Sequence, residues 1–229
     1  MKTCTTGCAA AQDSYRTDDM DIYGIYRPAL EAVAARMAEA IEAYGAAEKE
    51  KTGEMLYEHL RYRLKSEESM EAKLRARGLP LTAESALRGV RDAVGFRIVC
   101  RFVDDIYDNL ARIRALPGVT VAEEKDYIRH VKPNGYRSYH LILEAEAPYA
   151  DPEGRTPGRF YVEVQLRTIA MDSWAALEHD MRYKHRVANP ELIGRELKRC
   201  ADELASCDLS MQTIRNLIRK QPKAGEGQP

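Results

Sequence analysis

The segment RFYVEVQLRT, residues 159–168, limits what this chain can become more than any other. Val162, Val164 and Leu166 alternate with Glu163, Gln165 and Arg167. Successive side chains of an extended backbone point to opposite faces, so the alternation specifies a strand with one apolar face and one face carrying a carboxylate, an amide and a guanidinium. A helix would scatter the same residues around its circumference. The chain must therefore build a sheet with one side buried in a core and the other chemically equipped.

The flanking sequence supplies the rest of that sheet. In VGFRIVCRFV, Val94, Phe96, Ile98, Cys100 and Phe102 share a face, and DDIYDNLARIRAL follows with apolar residues at helical spacing until Pro117 and Gly118. LYEHLRYRLK sets Leu56, Leu60, Tyr62 and Leu64 against Tyr57, His59, Arg61, Arg63 and Lys65, which predicts a strand with a basic face. Ser66, followed by Glu67 and Glu68, suits a helix start, because a side-chain oxygen caps orphan amides and acids favour the positive end of the helix dipole. That helix should run to about Arg77, ahead of Gly78 and Pro80. VTVAEEKDYI and GYRSYHLILEAEA read as two more strands, with EAPYADPEGRTPGR as a turn-rich hairpin loop before the last.

Helices complete the plan. Ile22, Ile25, Leu30, Val33, Met37, Ile41 and Tyr44 recur near helical spacing, and residues 169–186 and 190–220 read as two further helices. Trp174, Leu177, Glu178 and Met181 share a spacing that places Trp174 in a core. Leu192, Leu197, Leu204, Met211, Ile214, Leu217 and Ile218 are available either to pack internally or to join subunits. The expected class is α/β in the α+β sense: a mixed β-sheet flanked by helices, with N- and C-terminal helical extensions. Residues 1–20 and 221–229 are expected to be disordered, 21–50 to form the N-terminal helix, 51–188 the catalytic unit and 189–220 the C-terminal helix.

Charge and composition narrow the roles. Lysines and arginines number 35 against 36 aspartates and glutamates, so affinity for anions must come from where the cations sit and not from their surplus. That disfavours a nucleic-acid coat protein. No window approaches the ~20 apolar residues of a membrane span, and MKTCTTGCAAAQ lacks the apolar middle of a secretory signal, so a soluble cytoplasmic protein is expected. Cys4, Cys8, Cys100, Cys200 and Cys207 form neither a disulfide framework nor a paired zinc pattern, which leaves ordinary reduced thiols.

Asp92 stands just before the strand that opens at Val94. If that strand neighbours 159–168, Asp92 and Glu163 can face a common Mg2+, whose octahedral site suits oxygen ligands. The plainer alternative pairs Asp92 with Arg91 or Arg97 and leaves Glu163 solvated or salt-bridged. Arg63, Lys65, Lys73 and Arg97, with Lys125 and Lys132 in the stretch KDYIRHVKPNGYRSYHLILE, group as polyphosphate capture requires, since guanidinium forks match phosphate oxygens and lysine supplies a mobile point charge. Tyr136, Ser138 and His140 alternate onto one strand face after Gly135, which can take the positive φ that turns the chain. Tyr136 is then either a platform for a base or a buried structural ring.

Four blocks stand in order across roughly residues 55–185: HLRYRLKSEESMEAK, VRDAVGFRIVCRFVDD, KDYIRHVKPNGYRSYH and VEVQLRTIAMDSWAALEHDMRYK. Together they resemble the synthetase domain of the RelA/SpoT enzymes, in particular the small alarmone synthetases. The resemblance implies a nucleotidyltransferase-like fold and transfer of the β,γ-pyrophosphoryl group of ATP to the 3′ hydroxyl of GTP or GDP, releasing AMP and forming the guanosine penta- or tetraphosphate of the stringent response. It implies Mg2+ as cofactor, with Asp92 as the metal-binding aspartate and Glu163 as the glutamate that binds Mg2+ or activates the attacking hydroxyl. Arg63, Lys65, Ser69, Lys73 and Arg97 fall at the family's ATP-binding positions, Arg63 and Arg97 placed to sandwich adenine. Lys125, Lys132, Tyr136, His140, Gln165 and Asp172 fall at its acceptor positions, with Tyr136 stacking guanine and Asp172 near the base edge. A homo-oligomer is implied as well, since small members often form tetramers whose central cleft can bind product or RNA.

Two departures bear on activity. Small members usually carry a small residue before the ATP-binding arginine, where this chain has Tyr62. The long members add a hydrolase domain built on clustered histidines and aspartates, whereas His59 is the one histidine in the first hundred residues here and His179-Asp180 is a lone pair in the last block. Synthesis without degradation is therefore expected. Two alternatives stand beside it: a relative that pyrophosphorylates adenine nucleotides or the 3′ end of tRNA, and a catalytically silent nucleotide-sensing or RNA-binding oligomer. The near-neutral charge argues against a dedicated tRNA binder, and the presence of both Asp92 and Glu163 argues against silence.

Overall fold

The computed structural model describes residues 21–184 and 189–221, so the expectations for both chain ends, including Cys4 and Cys8, lie outside the described residues. Five strands form one sheet in the order β1 (His59–Leu64), β2 (Val94–Cys100), β5 (Gly158–Thr168), β4 (Tyr139–Ala147) and β3 (Val119–Asp126). β2 and β5 run parallel, while every other pair of neighbours is antiparallel. This is the mixed, helix-flanked α+β architecture expected from the strand and helix patterns together.

One face of the sheet is apolar for the reason given by the period of two. Val94, Phe96 and Ile98 lie in register with Val162, Val164 and Leu166, and Leu143 and Leu141 oppose Val162 and Val164 from the other side. All of these side chains are buried. Three helices supply the opposing wall: α1 (Arg27–Thr52) with Leu30, Val33, Met37 and Ile41, α2 (Glu67–Ala76) with Met70 and Leu74, and α3 (Val103–Arg114) with Ile106, Leu110 and Ile113. Each such burial contributes roughly 1.5–3 kcal/mol, and together they anchor the sheet by one face and leave the other free of the core. Ser66 caps α2 by accepting from the Ser69 amide, as the sequence predicts, a contact that contributes about 1 kcal/mol. Cys100 closes the apolar row of β2, where burial pushes its thiol far up and leaves it inert.

The structure corrects several local readings. Ile25 is exposed because residues 24–26 form a 3-10 turn ahead of α1 and carry it off the apolar stripe. Tyr57, expected on the basic face, is buried; β1 begins only at His59, and the Tyr57 ring sits against Gly45, where a Cβ would lie 2.9 Å from it. β4 begins at Tyr139 and not at Gly135, so Tyr136 and Ser138 belong to a loop. Ser138 is fully buried and donates to the Leu166 carbonyl at 3.1 Å, away from the face assigned to it. In α4 (Ile169–Lys184) Trp174 is buried as expected, whereas Leu177 and Met181 are exposed.

The last helix, α5 (Pro190–Lys220), packs on its own chain. Leu197 and Ala201 join Trp174 in a small second core, Trp174 Nε1 donates to the Leu197 carbonyl at 2.8 Å, and Thr168 Oγ1 donates to Asp208 at 2.6 Å. Further along, Arg215 donates to Asp105 at 2.5 Å, and Arg219 pairs with Glu54. Leu209, Met211, Ile214, Leu217 and Ile218 of the same helix remain exposed. Among the described residues no helix is long and apolar enough to cross a membrane.

Candidate active site

The second face of the sheet is a ladder of polar rungs. Arg63 of β1, Gly95 of β2 and Glu163 of β5 are consecutive partners, and the next rung runs Arg61, Arg97, Gln165, His140 and Lys125 across all five strands. Beside β1 and β2 this face opens into a cleft of about 620 Å3 lined by Arg63, Lys65, Asp92, Arg97, Glu163 and Gln165. Its floor owes its depth to Gly95, where an added Cβ would find nothing within 4 Å among the described residues. Glycine inside a strand often marks the close approach of a ligand.

Asp92 and Glu163 line this one cleft because the parallel pairing of β2 with β5 sets the start of the first strand beside the middle of the second. Asp92 does not pair with Arg91 or Arg97. Its Oδ2 accepts from Lys65 Nζ at 2.8 Å and from Lys73 Nζ at 2.5 Å, while its Oδ1 is buried with no hydrogen-bond partner among the described residues. Arg91 instead adopts φ 58 and lays its guanidinium over the Tyr161 ring at 4.7 Å, turning the chain just ahead of Asp92. At Glu163, burial pushes the carboxyl up, but His140, the Gln165 amide that donates at 3.0 Å and the charge of Lys73 together outweigh it and hold the group below the usual carboxylate range.

An orphaned, buried carboxylate oxygen and an ionised neighbour are a donor set that fits a hard divalent cation. Among the described residues no three His, Cys, Asp or Glu side chains gather into a cage. Mg2+ does not require one, since it is commonly held by one or two carboxylates together with substrate phosphates and water.

The remaining predicted residues fall into two groups. Arg63, Lys65 and Arg97 line the cleft, and Lys73 reaches it through Asp92, whereas Ser69 is spent on the start of α2, its hydroxyl accepting from Ser66 Oγ at 2.8 Å. Tyr62 borders the cleft while its ring stacks on Phe96, centroids 5.2 Å apart. Across the ladder, Tyr136 and His140 come together although they do not share a strand: the tyrosine Oη lies 2.8 Å from His140 Nε2. Lys132 Nζ sits 4.3 Å from the Tyr127 ring centroid and 4.8 Å from that of Tyr136. Lys125 stands on the same rung as His140 but is exposed and paired with Glu123 at 2.6 Å. Asp172 accepts from Arg167 at 3.0 Å and pairs with Arg97 at 3.4 Å, bridging two guanidiniums. Arg97 is lowered by burial and by the charge of Arg167.

Two contributors lay beyond the residue assignments made from sequence. Arg167 was visible on the polar face, but its partners come from β5, α4 and the loop before β4. Tyr127, inside the same ring-rich stretch, meets His140 edge-on at 5.3 Å. Gly135, with φ 89, has no room for a Cβ, which would fall 2.7 Å from Ala201 Cβ and 3.2 Å from Lys198 Cα, so α5 forms the floor beneath the Lys132–Tyr136 loop.

A mixed sheet that presents two carboxylates within a cation-lined cleft, beside a cluster of rings and further cations, defines an enzyme that handles phosphorylated nucleotides. Residues 62–188 match the model of the region found in RelA / SpoT proteins. The chain is 35% identical over 196 residues to the GTP pyrophosphokinase YwaC of Bacillus subtilis (strain 168), covering 85% of this chain and 89% of that one. It superposes on the crystal structure of small alarmone synthetase 1 from Bacillus subtilis bound to its product pppGpp with a TM-score of 0.69 at 31% identity, covering 85% of this chain and 95% of the other. The same synthetase bound to AMPCPP matches with a TM-score of 0.62 at 28% identity, over 86% and 96% of the two chains. The chain belongs to the RelA/SpoT family.

Proposed function

We propose that this protein is a GTP pyrophosphokinase that moves the β,γ-pyrophosphoryl group of ATP to the 3′ hydroxyl of GTP or GDP, making the guanosine penta- or tetraphosphate. The observation that carries the reading is the cleft in which Asp92, with its unpartnered Oδ1, and Glu163 stand among Arg63, Lys65 and Arg97. The 3′ oxygen forms a bond to the β-phosphorus as the bond from that phosphorus to the α,β-bridging oxygen breaks, AMP takes the electron pair, and the hydroxyl proton passes to a base.

Each residue has a part in that step. Arg63 and Arg97 grip adenine, while Lys65 and Lys73, now both on Asp92, supply charge to the triphosphate. Lys132 and Lys125 take the acceptor's phosphates, Tyr136 its base, Asp172 the base edge and His140 the reacting end. Asp92 and Glu163 would hold Mg2+, which supplies neutralisation of the phosphate charge when bound. Glu163, ionised at neutral pH, is in the form needed either for the metal or for the hydroxyl proton. Two polyphosphates repel each other, so fixed cations and positioning account for most of the acceleration. A cytoplasmic homo-oligomer, with a tetramer as the expected form, completes the reading; it would cover the exposed apolar residues of α5, and light scattering on the purified protein tests it.

The deciding experiment supplies labelled ATP with GTP, GDP, ATP or tRNA in separate reactions and weighs the product. Label on a guanine nucleotide with release of AMP is expected. Label found only on tRNA or on an adenine nucleotide would replace the guanosine reading, and absence of product with all four would make the protein a nucleotide binder without turnover.

A further inference from the structure

Arg167 stands outside every role assigned so far, yet its guanidinium joins three side chains of the site, Gln165, Tyr136 and Asp172. It is buried and has no hydrogen-bond acceptor of its own. Its Nη2 donates to Gln165 Oε1 at 2.9 Å and to Tyr136 Oη at 2.8 Å, while Nη1 donates to Asp172 at 3.0 Å. From those contacts two arms run toward Glu163. Gln165 Nε2 donates to Glu163 Oε2 at 3.0 Å; in the other arm Tyr136 Oη meets His140 Nε2 at 2.8 Å, and His140 Nδ1 faces Glu163 Oε1 from 3.6 Å.

We propose that Arg167 is a positioning residue for Glu163: a donor-only group at one end of a two-armed network whose other end is an acceptor-only carboxylate. The chemistry leaves one consistent direction for each arm. In the amide arm, the Gln165 carbonyl must face the guanidinium and its NH2 the carboxylate, because the flipped amide would set donor against donor and oxygen against oxygen. In the ring arm, the Tyr136 hydroxyl receives from Arg167, so its single proton goes to His140 Nε2. The imidazole proton is thereby placed on Nδ1, the nitrogen aimed at Glu163. Arg167 thus sets the orientation of an amide that it touches and the tautomer of a histidine that it does not. Both choices turn an N–H toward the same carboxylate.

The inference gives the proposed reaction its means of orienting Glu163, and its kinetic arm rests on that reading; its spectroscopic arm does not. Nitrogen-15 NMR of histidine-labelled, nucleotide-free protein, recorded with the rings neutral, reads the tautomer directly, with His140→Gln identifying the resonances. The wild type is expected to carry the proton on Nδ1, and both Tyr136→Phe and Arg167→Lys should move it toward the Nε2–H form. Tyr136→Phe keeps the ring and the fold while cutting the arm, so the test stands even if the Arg167 variant fails to fold. In turnover, each variant should lose about 10- to 100-fold in kcat. The double variant should lose no more than the worse single one, whereas a purely structural arginine would give multiplied losses. An Nε2–H wild type, a tautomer indifferent to Tyr136→Phe, or multiplied losses would overturn the proposal. A wild type that makes no product would instead sink the assigned reaction and leave the tautomer measurement to decide this one.

Discussion

The two halves of the polar face are built differently. On the β1–β2 side the cleft is open, floored by Gly95 and walled by side chains of the sheet and of the turn before β2. On the β4 side the space is taken by the protein itself: Tyr127, Tyr136 and His140 pack edge-on, Lys132 lies over both tyrosines, and Arg167 ties Tyr136 to Gln165. On the proposed assignment of the two sites, the donor enters a space already shaped, whereas the acceptor would have to part Lys132 from the rings before its base could stack. That assignment predicts an acceptor affinity reduced by the population of the opened form and a donor affinity that is not.

The largest effect tests what the halves share. Glu163→Gln should lower turnover by about a thousandfold while an ATP analogue still binds by calorimetry, and Asp92→Asn should do the same to turnover. Retention of activity within tenfold would remove the acid pair from the centre of the site. Gly95→Leu should break the donor half alone. The added side chain has free space to occupy, so the melting temperature should hold, but the KM for ATP should rise at least about tenfold, equivalent to ~1.4 kcal/mol, with the acceptor KM unmoved. Tyr136→Ala should do the reverse: loss of one base stack costs about 1–3 kcal/mol, read as a rise in acceptor KM with little change for ATP.

The pH dependence sharpens the contrast on a smaller scale. Glu163 is depressed in the folded protein, so its contribution to stability is fully present above the ordinary carboxylate range and is lost as pH falls through its own lower value. The acid limb of the rate profile should accordingly lie below the ordinary carboxylate range, and it should move up when His140→Gln removes one of the groups that hold Glu163 down. The smallest effect is expected at Tyr62→Leu. Because that ring is engaged with Phe96, its loss should cost about 1 kcal/mol in denaturant unfolding and shift the KM for ATP by less than about threefold.

Much of this arrangement was legible in the residues because period-two alternation is a strong constraint. The apolar row at 94, 96 and 98 and the row at 162, 164 and 166 announce two buried strands, and once those are neighbours Asp92 and Glu163 share a cleft. The loop 135–138 departs from the expected strand for a physical reason: its spacing imitates one, but Gly135 turns the chain and Ser138 is drawn to the Leu166 carbonyl. Lys125 looks free in sequence because nothing there reveals that Glu123 on the same strand will claim it. Arg167 could be placed on the correct face, yet its role depends on Tyr136 and Asp172, which reach it from a loop and a helix. Apolar spacing in α5 cannot distinguish a helix that packs inward at Leu197 and Ala201 from one that leaves Leu217 and Ile218 bare.

The contact between Gly135 and Ala201 has a temporal consequence. Chains fold as they emerge from the ribosome, N-terminal parts first. By the time residue 168 has been made, every strand of the sheet is present, but the seat beneath the ring-bearing loop arrives more than thirty residues later. A nascent chain halted in that interval would own Asp92 and Glu163 and lack the support for the loop proposed to hold the second nucleotide.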